Sequence, residues 1–258
     1  ILDSAYFECL YKLDYVMDLL KPYNKPDEMR LLVGNKYTQF QSYTNYITDS
    51  LVNANPEEYK PQVIGLSEQG QAYNIRPASK QAKRSNYKEI SIINRNNNNI
   101  IAAYELNSRQ AIKFEETIKN PDWNIATETD SVLGYICQKA TTHYAGRNWT
   151  VLFAPEIAIG EGPWKLRGLP GLILKAEDND KHYVFECIAL QRLKTKKTIN
   201  TESKYRTVSK ADYQKQIKNF FEDPIGTINR QFEGTGAKIT IHKTNENADL
   251  IRKYNPIK

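Results

Sequence analysis

The chain has 258 residues, 40% of them hydrophobic, and a formal net charge of +6 from 36 Lys and Arg against 30 Asp and Glu. That length can bury a full core, and we read it as one large β-rich domain, residues 1–258, rather than two small ones. No apolar run approaches the ~20 residues of a membrane-spanning helix, and the positive excess is small for a nucleic-acid binder, which concentrates its charge.

Residues 4–16, rich in Tyr, Phe, Leu and Val, predict a first strand, and Leu31–Val33 starts another before Gly34. Tyr46, Ile47, Ser50 and Leu51 recur at helical spacing, which predicts a short helix before Pro56. Residues 53–99 hold little apolar periodicity and read as a loop-rich insertion with one hairpin, the Asn96–Asn99 run forming a turn at its end. Strands are predicted at 100–106, 111–118, 124–129, 132–144, 148–154, 172–177 and 183–193, with turn residues at Asn107-Ser108, Asn120-Pro121-Asp122, Gly146 and Asp178-Asn179-Asp180. Such short links join antiparallel neighbours, so a meander is expected.

The helical period returns at about 208–233. Ser209 is a cap, and Tyr213, Ile217, Phe220 and Phe221 form a stripe that ends at Pro224. Ile225, Ile228 and Phe232 extend the pattern into a second short helix, 238–242 reads as a last strand, and the polar tail after Asn245 as loosely held. The expected fold is mainly β (α+β): an antiparallel, strongly curved sheet or half-barrel with C-terminal helices packed on it.

Four of the twelve glycines fall between Gly160 and Gly171, interrupted by Pro163 and Pro170. Pro fixes φ near −65° and Gly tolerates positive φ, so Leu169-Pro170-Gly171-Leu172 predicts a type II turn leading into a strand. Gly168–Ile173 spell GLPGLI, and Tyr135–Ala140, Gly146-Arg147, Trp149–Val151, Pro155–Ile157 and Gly162–Lys165 stand in the order of the same pattern. In these residues the chain resembles the GLPGLI family, exported proteins of Bacteroidota without an established biochemical role. The resemblance covers most of the chain and is strongest over 131–190. It implies a removed export signal, which fits a start at Ile1 without Met, a periplasmic or outer-membrane location, and a TonB-dependent outer-membrane transporter as the partner to test first.

Two readings of the glycine-rich segment stay open. In one it displays Trp164, Lys165 and Arg167, with Gly168, Pro170 and Gly171 shaping the loop and Arg147 and Trp149 on a nearby strand, as an aromatic and cationic binding surface. In the other Trp164 covers the sheet edge or barrel mouth, and Pro and Gly merely let the chain turn. The basic run Arg192–Lys197 reads as a solvated strand end rather than a nucleic-acid or lipid-headgroup patch.

Enzymatic signatures are sparse. Cys137 and His143 on one straight strand would lie ~20 Å apart, and no nucleophile elbow, zinc helix or phosphate loop occurs. No metal or other cofactor is expected, since His143, His182 and His242 are scattered and Cys9, Cys137 and Cys187 lack metal-site spacing. Buried free thiols are the simplest reading of the cysteines, with a Cys9–Cys187 pair as the alternative in an oxidising compartment. Asp3-Ser4, Asp49-Ser50 and Asp130-Ser131, each followed by an apolar residue, match the O-glycosylation pattern that the resemblance makes relevant, at Ser4, Ser50 and Ser131; strand-start or cap use is the plain alternative. The expected function is a non-enzymatic binding or accessory subunit of an outer-membrane assembly. The alternatives are a periplasmic carrier of lipid or lipoprotein with a half-barrel, and a hydrolase with an unconventional site.

Overall fold

A computed structural model describes residues 1–16, 18–20, 26–59, 62–66, 72–76, 80, 82–107, 110–201, 205–223, 226–227 and 255. The chain opens with β1 (Asp3–Tyr15), β2 (Asp27–Gly34) and β3 (Tyr37–Ser42), then α1 (Tyr43–Ala54), the single turn α2 (Pro56–Tyr59), and β4 (Gln62–Leu66) paired with β5 (Ala72–Arg76). Next come β6 (Glu89–Asn94), β7 (Asn99–Asn107), β8 (Gln110–Thr117), β9 (Asn124–Val132), β10 (Tyr135–Tyr144), β11 (Arg147–Ala154), β12 (Leu172–Asp178), β13 (Tyr183–Ile199), β14 (Arg206–Thr207) and α3 (Lys210–Glu222).

Twelve strands form one sheet in the order β14-β8-β7-β6-β3-β2-β1-β13-β12-β11-β10-β9. β8 and β9 stand ten positions apart in it, which in a flat sheet is about 48 Å at the usual strand spacing. The six residues joining them span at most about 25 Å. The sheet must therefore curl, and it is a single large curved sheet that does not close. β8 to β9 is thus a crossover between opposite ends of the sheet, not the antiparallel hairpin expected at Asn120-Pro121-Asp122. The meander holds from β9 to β13, after which β13 pairs with β1 across almost the whole sequence.

Strict alternation in β1 sends Phe7, Cys9, Tyr11, Leu13 and Tyr15 to one face. Cys9 opposes Leu31 and Tyr11 opposes Met29 on β2, while Leu31 opposes Phe40 on β3. This layer merges with Trp149, Val151 and Phe153 of β11, Leu172 and Leu174 of β12 and Phe185 of β13 into the main core. A smaller core lies where Tyr213 and Ile217 of α3 cover Ala102, Tyr104, Ile112 and Phe114 of β7 and β8. Ser209 caps α3 as expected, its hydroxyl accepting the Asp212 amide at 3.1 Å.

The stretch read as a loop-rich insertion contributes one strand to the sheet: β6 sits between β3 and β7, and Asn96–Asn98 make the tight turn after it. β3 lay in a stretch given no strand assignment. The second C-terminal helix and the strand at 238–242 lie largely or wholly outside the described residues. Among those described, no helix is long and apolar enough to cross a membrane. Asn255 corrects the loose-tail expectation at one point: it is buried, its amide nitrogen donates to the Val16 carbonyl at 2.8 Å, and its side-chain oxygen accepts from Arg147.

Candidate functional site

The glycine-proline elbow between β11 and β12 is locked into the core. Trp164 is 2% exposed and its ring stands 6.1 Å from that of Trp149 and 5.9 Å from that of Tyr144. Trp149, Lys165 and Arg167 are buried as well, and the Lys165 ammonium lies over the Trp164 ring. These four side chains are not displayed, which corrects the first reading of the loop. The physical reason is a buried carboxylate: Glu161 accepts from Arg167 Nη2 at 3.0 Å and from Arg95 Nε at 2.9 Å. Arg95 also donates to the Gly34 carbonyl and Arg167 to the Asn98 side chain, so the elbow is stitched to the turns after β2 and β6. Trp123 of the crossover donates its indole N–H to the Arg167 carbonyl at 2.8 Å.

The turn chemistry also differs from expectation. Gly168 carries the positive φ, +93°, and so does Trp164 at +56°, whereas Gly171 does not. Gly171 is required for a different reason: a Cβ there would meet the Ala154 carbonyl oxygen at 2.3 Å. Gly168 and Pro170 are the exposed members of the motif.

Arg147 lies at the end of the β10–β11 hairpin, with Nη1 donating to Asp178 at 2.6 Å and the guanidinium over the Tyr183 ring. Asp178, Asp180 and His182 bring potential ligand atoms within 4.8 Å of one another. Asp178 already accepts from Arg147 and from the Tyr183 amide, so a cation there would compete with a guanidinium. His143 is exposed, while Cys137 is buried six residues away on the same strand. Cys9 and Cys187 lie on the neighbouring strands β1 and β13 as buried free thiols, the Cys187 thiol donating to the Ala189 carbonyl, and burial pushes the Cys9 thiol well up. Ser50 and Ser131 are exposed and Ser4 is half-buried in β1. Asp3 uses its carboxylate on the Lys36 and Tyr37 amides at the β2–β3 turn, at 2.6 and 3.0 Å.

The more open site lies on the other face of β1–β3. Alternation that sends Leu31 and Phe40 to the core sends Arg30, Gln39 and Gln41 to the opposite side, where all three are buried and Arg30 opposes Gln41 directly. Ser42, next in sequence, caps α1 by accepting the Asn45 amide at 3.2 Å. Tyr46, Asp49, Ser50 and Asn53 then recur at helical spacing along the side of α1 that borders a cavity of about 460 Å³. Ile47 and Leu51, the apolar half of the stripe read from sequence, are exposed instead.

Hydrogen bonds hold this wall. Asn45 donates to the Tyr87 carbonyl and accepts the Ser85 amide, Thr48 donates to the Lys83 carbonyl at 2.6 Å, and Arg84 pairs with Asp49. Glu89 at the cavity edge accepts from the Tyr213 hydroxyl of α3 at 3.1 Å. Behind the floor, Glu8 accepts from Lys197 at 2.7 Å and Gln191 at 2.8 Å. Buried amides, a guanidinium and hydroxyls in fixed positions around a cavity can recognise a polar ligand by hydrogen bonding. Sequence reasoning missed this site because its residues are scattered over β2, β3, α1 and the segment 84–90. The usable signal was Arg30 beside the apolar run Leu31–Val33 and the alternation of Gln39 and Gln41 about Phe40.

Residues 46–215 match the family described as "N-glycanase peptide, N-terminal domain". The chain belongs to this family. No curated protein sequence matches it. The fold is similar to solved structures of PNGF-II in two crystal forms. The C2 form superimposes with a TM-score of 0.53 at 16% identity over 81% of this chain, and the P21 form with 0.51 at 17% over 83%. The matched region is 32% of the PNGF-II chain in both, so this chain spans about a third of the length of those structures. At that identity the likeness is one of fold.

Proposed function

We propose that this protein is a non-enzymatic recognition domain of an exported cell-envelope protein of the GLPGLI type, and that the cavity between α1 and the polar face of β2–β3 is its ligand seat. The observation that carries the reading is Arg30, Gln39 and Gln41 buried together at the cavity floor. Burying such groups costs stability unless each is hydrogen-bonded, so a fold that keeps three of them beside an opening retains them for recognition. The name of its family speaks of an N-glycanase, which makes an oligosaccharide the first ligand to try. A domain of this kind would serve as a binding or accessory subunit, with a TonB-dependent outer-membrane transporter as the partner.

A second reading, hydrolysis, rests on Asp49, Glu89 and Glu105 bordering the same cavity. Asp49 is paired with Arg84, and Glu89 accepts from Tyr213 and Ser91, which favours positioning roles for both. A lipid carrier is supported less by this cavity, since polar side chains form its floor.

Affinity isolation from native membranes with wild type and with Gln41→Leu tests the proposal. Wild type is expected to retain a glycan or glycosylated protein that the variant loses. Equal retention by both would remove the cavity from the reading. Release of glycan that stops in Glu89→Gln would establish the hydrolase, and co-purifying lipid the carrier.

A further inference from the structure

The cavity floor contains a charge imbalance. Glu8, 3% exposed, faces two cations: Lys197 at 2.7 Å and, at 4.0 Å, Arg30 Nη1. With Lys197 and Gln191 both donating to Glu8, and 4.0 Å lying beyond hydrogen-bond range, Arg30 is left without a bonded carboxylate. Its Nε and Nη1 have no hydrogen-bond partner among the described residues, although the side chain is 2% exposed. Tyr46 of α1 lies flat over the guanidinium, with the ring centroid 3.4 Å from Cζ. That contact uses the face of the guanidinium, while Nε and Nη1, whose N–H groups point outward in the plane, have no acceptor among the described residues. Other charged groups at the cavity have partners nearer to hand: Arg84 has Asp49, Glu89 has Tyr213, and the Lys88 ammonium stands 3.5 Å from the Leu106 carbonyl.

We infer that the cavity takes a sugar ligand bearing an anionic oxygen group, a carboxylate or a phosphate, and that Arg30 is its counter-charge. This rests on the reading of the cavity as a recognition site and adds the charge of what is recognised. Guanidinium N–H groups match the oxygens of either anion in the plane, and charge-assisted bonds of this kind are about twice as strong as neutral ones. The Gln39 and Gln41 amides beside Arg30 suit the neutral hydroxyls of the same ligand. Both unpartnered nitrogens are shielded from water, so the ligand reaches them by a small displacement of Tyr46, which is only half-buried.

Calorimetric titration of the whole chain with glucuronate, glucose 6-phosphate and glucose tests the inference. One of the two acidic sugars is expected to bind at least ~10-fold more tightly than glucose, and to weaken as salt is added. Which acid binds better identifies the group. Arg30→Met is expected to lose that preference, so that the acidic sugar and glucose then bind within about 2-fold of each other. Acidic and neutral sugars binding wild type equally would overturn the counter-charge and leave the recognition site standing. No binding by any of the three would overturn both. If Arg30→Met does not fold, Tyr46→Ala replaces it: uncovering the guanidinium should tighten or preserve binding of the acid, and a loss of the preference in that variant would count against Arg30 as the anchor.

Discussion

Trp164 combines three features that are rarely found together: a left-handed backbone at φ +56°, near-complete burial, and an indole N–H without a partner among the described residues. Each of the first and third costs free energy, so the ring must repay both through its contacts with Trp149 and Tyr144. Trp164→Ala is therefore expected to lower stability by about 3–5 kcal/mol. Trp164→Phe, which keeps a ring and removes the stranded donor, should cost well under half as much; parallel chemical denaturation measures both. Asp3 gives a pH-dependent counterpart. Burial pushes its carboxyl up, but the Lys36, Ser4 and Tyr37 amides outweigh this and hold it below its ordinary value. A depressed carboxyl stabilises the fold above the unfolded pKa of about 3.9 and loses that contribution as pH falls through the folded value. Asp3→Asn should thus cost ~1 kcal/mol near neutral pH, with the gap to wild type closing below about pH 4 in melting curves. From letters alone the Gly and Pro bias of the elbow was legible. Its division of labour was not, because Gly168 and Gly171 look alike until the backbone shows that one needs positive φ and the other needs room beside Ala154.

At the scale of elements, periodicity located β1, β7, β8, β10 to β13 and α3 because each has a face buried by local alternation or an unbroken helical stripe, while β9, exposed along nearly its whole length, was marked by the turn residues that bound it. It failed for β3 and β6. Both lie near the sheet centre with buried residues on both faces, and Gln39, Gln41 and Ser91 break the apolar pattern. The floor of the candidate site was hidden for the same reason. The capping of α3 was read correctly, since a Ser with an acidic residue three positions on is a local signal that tertiary context rarely overrides. Ser209→Ala is expected to cost about 1 kcal/mol, from the lost bond to the Asp212 amide. Because α3 holds Glu89 through Tyr213, the same variant should loosen the cavity edge, seen as faster amide exchange at residues 89–91. Unchanged exchange there would mean that α3 and the cavity wall are not coupled.

For the whole molecule the question is whether a twelve-strand sheet behaves as one cooperative unit. β1 joins its two halves, pairing with β2 on one side and β13 on the other, and side chains from β1, β2, β3, β10, β11, β12, β13 and the elbow meet in one core. The three cysteines report on it from separate strands: Cys9 on β1, Cys137 on β10 and Cys187 on β13, all buried in that core. Burial raises the Cys9 and Cys137 thiols above their ordinary pKa, so in the native state they are both shielded and poor in the reactive thiolate. Alkylation in increasing urea, read by intact mass, should then show all three sites reacting over one transition that coincides with loss of the β circular-dichroism signal. Cys137 reacting at lower urea than Cys9 and Cys187 would show that the β9–β11 end opens independently. A fraction in which only Cys137 reacts until a reductant is added would show Cys9 and Cys187 joined by a disulfide. A single transition is the expected result, because Glu161 of the elbow, on the β11–β12 side, pairs with Arg95 just after β6, so the two halves of the sheet cannot separate at β1 without breaking a pair whose carboxylate is buried.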